Sequence, residues 1–187
     1  PAAMGLGMEK QLAKDLENIA FGLGMQNGTI KGDLLVNNGQ LIWIELAVRA
    51  SGGYFATHEI PLSTGINFVE ILLKLAVGAT IRPEELLHNS KQYVCQRYLF
   101  SQSPEDVQIC PPDLASGEVG VLFYSDFVSN SRAAWGPPGA LSKVAVVITG
   151  GSSQIEAEDR ASRWEASTGI WNPPQIEEKR ITKIRAD

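Results

Sequence analysis

Apolar residues recur at helical spacing in three stretches of the chain. The first extends from Met8 to about Gly24, the second from Asn67 to Val77, and the third from about Gln154 to Thr168. Spacings of three and four residues place these side chains on one helical face, so we predict three amphipathic helices packed on a sheet. The third helix begins with the capping box Ser153-x-x-Glu156. A shorter helix is predicted from Pro83 to His88, because proline suits a first helical turn.

Between the first two helices the pattern changes to alternating and continuous apolar runs. Residues Thr29 to Val36 and Leu41 to Val48 flank Asn37-Asn38-Gly39, which predicts a β-hairpin. A two-residue Asn38-Gly39 loop would pair residue 37 with 40 and place Asp33 and Glu45 on opposite faces. A three-residue loop, with Gly39 in the left-handed conformation, would pair 36 with 40 and place both carboxylates on one face. The residues permit both loops.

The rest of the chain has strand-like segments and turns. Residues 92 to 100, 106 to 110, 119 to 128 and 143 to 149 are strand-like and are separated by turns rich in proline and glycine. Residues Arg49 to Thr64 are predicted to form a loop around Ser51-Gly52-Gly53. The tail from Arg180 to Asp187 is predicted to be an edge strand or disordered. Together these elements predict an α+β fold, with an antiparallel sheet and packed helices.

Composition narrows the class of protein. The 187 residues are 44% hydrophobic and 20% charged, with a net charge of -5. The chain therefore lacks the excess of basic residues that is typical of nucleic-acid-binding proteins. Cys95 and Cys110 lack a CxxC spacing, so we expect inert thiols. No apolar run approaches the ~18 to 20 residues of a membrane span, and we expect a soluble cytoplasmic protein. The chain begins at Pro1 almost inside an amphipathic pattern, and we therefore expect it to be part of something longer.

Three charged residues of the hairpin are the candidates for chemistry. Glu45, Ala47 and Arg49 share one face of a strand because side chains alternate, and the three-residue loop would add Asp33 to that face. The carboxylates lie in apolar runs, where an uncompensated charge costs several kcal/mol in lost hydration. A magnesium ion is one candidate for the compensating charge, since it prefers hard oxygen ligands. The alternative is a structural Asp/Glu-Arg cluster that neutralises itself.

Residues Gly32 to Gly78 resemble the second half of the ATP-grasp domain found in biotin carboxylase, carbamoyl-phosphate synthetase and the amino-acid ligases. In those enzymes an acidic residue precedes a hairpin turn, a Glu follows on the return strand, an Arg lies four residues later, and a Thr-Gly precedes a helix. Here the corresponding residues are Asp33, Glu45, Arg49 and Thr64-Gly65. Because a shared site requires both carboxylates on one face, we predict the three-residue loop.

A second, less specific resemblance covers Gly136 to Ala161, which is similar to the closing strand, glycine pair and helix of the same enzymes. The resemblance implies that residues 1–90 are the C-terminal part of an ATP-grasp domain with a metal site. Residues 91–187 would then be a small C-terminal α+β subdomain. The N-terminal half of the ATP-grasp domain is expected as a partner in cis or in trans, and a second copy of this chain, forming a homodimer, is a further candidate partner.

The resemblance implies an ATP- and magnesium-dependent carboxylate-amine or carbamoyl-phosphate-like ligase that works through an acyl phosphate. Asp33 and Glu45 would hold one or two magnesium ions against the phosphates of ATP, and Arg49 would grip the transferred phosphoryl group. The loop formed by Ser51, Gly52 and Gly53 and continuing to His58 would approach the small-molecule carboxylate and amine substrates. The chain alone is expected to be inactive, with no nucleic acid or membrane partner.

Two positions depart from the family pattern. Ala47 stands where the family commonly has an Asn ligand, and Gly53 stands where biotin carboxylase has a Glu that acts as base, so carboxylation of biotin is disfavoured. His58 could contact substrate or be structural, His88 is expected to cap exposed carbonyls, and Gly150-Gly151 is expected to form a turn. The alternative function is a non-catalytic binding or interaction module that keeps the ATP-grasp fold.

Overall fold

The computed structural model describes residues 6–90, 92–101, 108–110, 120–128 and 142–171. The chain divides into two compact units, Pro1–Gln92 and Tyr93–Asp187. Each unit combines helices with antiparallel strands, so the α+β class expected from the sequence is confirmed. The assignment of each unit to a part of an enzyme stays a prediction.

The first unit is built around one hairpin and a series of helices. The predicted long helices are confirmed, and the second of them is N-capped by Asn67, whose side chain accepts a hydrogen bond from the Glu70 amide. The segment predicted as a loop from Arg49 to Thr64 is instead largely helical. In chain order the elements are α1 (Leu6–Gly22), β1 (Lys31–Asn37), β2 (Gln40–Ala47), a π-helix (Phe55–Glu59), α2 (Ile60–Thr64), α3 (Phe68–Ala76) and a 3-10 turn (Pro83–Leu86).

The hairpin uses the two-residue loop, so the predicted three-residue loop was wrong. Asn38 and Gly39 have φ angles of 50° and 76°, which is the pair of left-handed residues that an Asn-Gly type I′ turn requires. Asn37 therefore pairs with Gln40. A β-bulge then adds one residue, Ile44, to β2. The bulge changes the register, and Asp33 lies directly opposite Glu45 on the same face.

The second unit has a central strand that is buried on both faces. Strand β6 (Ser142–Gly151) lies between β3 (Tyr93–Ser101) and β5 (Val121–Asp126), and its residues 144 to 148 have no exposed surface. A continuous apolar run is what a strand covered on both sides needs. Helix α4 (Gln154–Ser167) packs on β6 and β3 and inserts Trp164 into the core.

The remaining described strands of this unit, β4 (Gln108–Cys110) and β7 (Gly169–Trp171), pair with each other antiparallel. The tail from Arg180 to Asp187 lies outside the described residues. No helix of the described residues is long and apolar enough to cross a membrane.

The glycine pair before α4 is the end of strand β6, where Gly150 and Gly151 pair with Val94 and Tyr93, so the turn expected at these two residues was wrong. Ser153 accepts a hydrogen bond from the Glu156 amide, and the Glu156 carboxylate accepts from the amide and hydroxyl of Ser152, both at 2.6 Å. These hydrogen bonds lower the pKa of Glu156. The helix N-terminus therefore already faces a carboxylate. A Cβ at Gly151 would lie 2.7 Å from the Ala157 amide nitrogen, which explains glycine at that position.

Candidate functional site

One face of the hairpin carries the predicted metal ligands. Lys31, Asp33 and Leu35 alternate along β1 on this face, opposite Ala47, Glu45 and Ile42 respectively. We call these six residues the carboxylate face. The opposite face carries Leu34 and Trp43, which are half-buried. The bulge at Ile44 is therefore the local feature that brings Asp33 and Glu45 together.

A lysine that the sequence analysis missed lies between the two carboxylates. The Lys31 ammonium donates a hydrogen bond to Asp33 Oδ2, and its Nζ lies 3.5 Å from Glu45 Oε1. The hydrogen bond to Asp33 raises the pKa of Lys31, and the charges of both carboxylates act in the same direction. Lys31 precedes Asp33 by two residues on a strand, and this spacing could have revealed the contact.

The carboxylates are more exposed than the apolar runs around them suggested. The side chains of Asp33 and Glu45 are 54% and 56% exposed, whereas that of Lys31 is 20% exposed. The expectation of buried charge was wrong because the carboxylate face is open within the first unit. Leu35 and Ile42 on the same face are 56% and 43% exposed. Solvent reaches both the acidic and the apolar part of this face.

Arg49 lies just beyond β2 and is exposed. Its backbone N–H donates to the Ala47 carbonyl at 3.0 Å, and its guanidinium Nη1 donates to the Ala50 carbonyl at 3.1 Å. Within the described residues the guanidinium forms no ion pair with Asp33 or Glu45. The structural Asp/Glu-Arg cluster considered from the sequence is therefore not formed, and Lys31 supplies the compensating charge.

The segment after Arg49 makes a sharp turn before the π-helix. Gly53 and Tyr54 have φ angles of 66° and 70°, and the left-handed conformation is costly for a tyrosine. The Phe55 amide donates to the Gly52 carbonyl at 3.4 Å. A Cβ at Gly52 would meet nothing within 4 Å, so the glycine surface is open to a ligand. Ser51 is half-buried beside it.

His58 is held in place inside the π-helix. Its Nδ1 is 2.8 Å from the Thr57 hydroxyl, and its ring lies edge-on to Tyr54 with centroids 5.4 Å apart. Short π-helices are frequent at functional sites. The next residue, Glu59, has a buried Oε2 that finds no hydrogen-bond partner among the described residues, and burial raises the pKa of this carboxyl group. Sequence analysis gave no signal for Glu59.

His88 has the capping role expected from the sequence. Its Nε2 lies 2.9 Å from the Ser63 carbonyl, close to the end of α2. The amides of Asn89 and Ser90 both donate to the Thr64 carbonyl. Residues 88 to 90 therefore satisfy carbonyls that the helix end leaves without intrahelical partners.

The donor set of the carboxylate face fits a magnesium ion that keeps part of its own coordination shell. Asp33 and Glu45 provide oxygen ligands from directly opposed positions, and a cation, the Lys31 ammonium, already lies between them. Magnesium is usually held by one or two carboxylates together with waters and substrate phosphates. Among the described residues no group of three or more His, Cys, Asp and Glu could hold a metal.

No protein-family model and no curated protein sequence matches this chain. Solved structures do match. The phosphoribosylglycinamide synthetase of Anaerococcus prevotii has a TM-score of 0.69 and 11% identity, with 92% of this chain and 44% of that one covered. The L-amino acid ligase of Bacillus licheniformis has a TM-score of 0.67, 18% identity and the same two coverages.

A third structure is the biotin carboxylase domain dimer of Hydrogenobacter thermophilus 2-oxoglutarate carboxylase, in complex with MgADP, ADP and bicarbonate. Its TM-score is 0.54 at 15% identity, and the match covers 90% of this chain and 37% of that one. The chain thus spans less than half of each of these structures. At these identities the likeness establishes the fold, and the chain has the fold of part of the ATP-grasp ligases.

Proposed function

We propose that this chain is the metal-binding part of an ATP- and magnesium-dependent ligase that joins a carboxylate to an amine, or forms a carbamoyl-phosphate-like product. The observation that carries the proposal is the direct opposition of Asp33 and Glu45 on one open face of the hairpin. The ATP-grasp fold adds support, because the similar structures include a phosphoribosylglycinamide synthetase, an L-amino acid ligase and a carboxylase domain in complex with MgADP.

The carboxylate face suits a nucleotide because it has two chemically different parts. Asp33 and Glu45 would hold one or two magnesium ions against the phosphates. Leu35 and Ile42, opposed in the next cross-strand pair along the hairpin, offer an exposed apolar surface for the base. We infer that the N-terminal half of the ATP-grasp domain, in cis or in trans, covers this face.

Bound magnesium would supply positive charge against the charge that develops on the phosphates during transfer. Arg49 would hold the transferred phosphoryl group or the acyl phosphate, because planar guanidinium donors match phosphate oxygens. Its exposed position, without an ion pair among the described residues, leaves the donors other than the Nη1 group that bonds Ala50 available. Ser51, Gly52 and Gly53 would present backbone amides to the carboxylate substrate, and the neighbouring His58 would contact substrate at the π-helix.

A non-catalytic binding module that keeps the fold is the second candidate, and one observation favours it. Lys31 neutralises part of the charge of Asp33 and Glu45, and both carboxylates are more than half exposed. The hairpin therefore tolerates these residues without a metal. Such a module would still offer Leu35 and Ile42 as exposed apolar contacts on the same face.

Magnesium-dependent ATP turnover by the full-length or reconstituted protein separates the two candidates. Pairs of carboxylates and amines are screened with wild type, Glu45→Gln and Arg49→Ala, and folding is checked by circular dichroism. If the chain is part of a ligase, ADP and phosphate should form, and Arg49→Ala should lower the rate of this turnover roughly a thousandfold or more. Lys14→Gln, on the exposed side of α1, serves as the matched surface variant and should keep the turnover of wild type. Absence of turnover in every complete form of the protein supports the module.

A further inference from the structure

Lys31 is the least exposed of the three charged groups on the carboxylate face. Its ammonium bonds Asp33 Oδ2 and lies 3.5 Å from Glu45 Oε1, so it contacts one oxygen of each predicted metal ligand. With one positive and two negative groups, the net charge of the cluster is -1. The Lys31 ammonium therefore already occupies the place between the two carboxylates that a bound cation would take.

The residue opposite Lys31 leaves room for this arrangement. Lys31 pairs directly with Ala47, whose side chain is a single methyl group on the same face. The lysine can therefore cross towards Glu45, the neighbour of Ala47 on that face of β2. A long side chain at position 47 would compete for the same space.

We propose that Lys31 is an internal counter-cation that competes with a divalent metal ion for Asp33 and Glu45 and makes metal binding depend on nucleotide phosphate. This inference rests on the proposed function, which makes the two carboxylates the metal ligands. A divalent ion on the same oxygens would lie within a few ångströms of the ammonium and repel it. The ammonium then needs another acceptor, and the triphosphate of the nucleotide provides one.

The proposal predicts reciprocal coupling between metal and nucleotide. Metal alone binds weakly because Lys31 keeps its two carboxylates. Metal and nucleotide together bind well because phosphate oxygens take over the ammonium. Such coupling is a free energy shared between two ligands, and removing Lys31 should abolish the part that the lysine supplies.

Binding of Mn²⁺ to the 187-residue chain without nucleotide, measured by electron paramagnetic resonance, tests the proposal. The variants are Lys31→Gln, Lys31→Arg and the matched surface control Lys14→Gln, which removes the same charge from an exposed position on α1. We expect Lys31→Gln to bind Mn²⁺ about tenfold or more tightly than wild type, since one repelling charge is gone. Lys31→Arg and Lys14→Gln should stay within about twofold of wild type.

Two results would overturn the proposal, and they differ in what they say about the metal site. In the first, wild type and Lys31→Gln bind Mn²⁺ with equal affinity, and the double variant Asp33→Asn with Glu45→Gln does not bind it. This result would contradict the role of Lys31 but would still support Asp33 and Glu45 as the metal ligands. No Mn²⁺ binding in any variant, Lys31→Gln included, would contradict both the competition and the proposed metal site.

Discussion

Replacing Gly32 with alanine should destabilise the hairpin by a predictable amount. A Cβ at this position would lie 2.5 Å from Trp43 Cζ3 and 3.2 Å from Leu46 Cδ2, so the indole ring must retreat by about 1 Å to restore contact distance. Overpacking of this kind costs about 1 to 3 kcal/mol. Because the φ angle of Gly32 is not left-handed, alanine also removes unfolded-state entropy worth about 0.4 to 1 kcal/mol. The net expectation is a loss between about 0 and 2.6 kcal/mol, centred on about 1.3 kcal/mol.

Amide hydrogen exchange of β1 and β2, measured by NMR, reports the effect locally. The matched control is Gly22→Ala at the end of α1, where a Cβ meets nothing within 4 Å and alanine should stabilise by up to about 1 kcal/mol. The Trp43→Leu background should remove most of the Gly32→Ala cost, because the clash is with the indole. Equal effects of Gly32→Ala and Gly22→Ala, or an undiminished cost in the Trp43→Leu background, would refute the reasoning.

Three further predictions concern titration. The hydrogen bond from the Lys74 ammonium is the main cause that lowers the pKa of Glu85 to about 2. The ionised Glu85 should therefore stabilise the fold above its ordinary pKa of 4.5, and this stabilisation should be lost as the pH falls towards 2. The free energy of unfolding of Glu85→Gln should not show this pH-dependent loss. Burial, with a smaller effect of Asp126, raises the pKa of Tyr124 to about 12. The stability of the fold should therefore fall as the pH rises from about 10 to 12. Absorbance at 295 nm reports the ionisation of tyrosine, and the ionisation near pH 12 should be missing in Tyr124→Phe. Burial also raises the pKa of Glu59, so the folded state favours the protonated carboxyl group. The free energy of unfolding should therefore decline as the pH rises through that raised pKa. Denaturation of Glu59→Gln, measured over the same pH range, should not show this decline.

The elements of the fold were largely predictable because they depend on local patterns. The helical spacing of α1, α3 and α4 and the Asn38-Gly39 turn appear directly in the sequence. The π-helix did not, because Phe55 to Glu59 lack a periodic apolar pattern and follow two residues with left-handed backbones. A bulge also leaves little local trace, and the extra residue at Ile44 could not be read from composition.

The candidate site shows how a correct grouping can follow from a wrong register. Asp33 and Glu45 share a face as predicted, but through a two-residue turn and a bulge rather than a three-residue turn. The charge balance was missed because Lys31 was treated as the start of a strand, although its spacing to Asp33 places both on one face. Burial was overestimated because apolar neighbours along a strand say nothing about which face is covered.

The location of a divalent ion bound with ATP tests the central claim most directly. Substoichiometric Mn²⁺ and ATP are added to the isotope-labelled 187-residue chain, and paramagnetic broadening of amide signals is mapped by NMR for wild type and for Asp33→Asn with Glu45→Gln. The account predicts broadening centred on residues 31–35 and 42–49 in wild type and its loss in the double variant. Broadening centred elsewhere, or unchanged in the double variant, would contradict the assignment of the hairpin face as the metal and phosphate site.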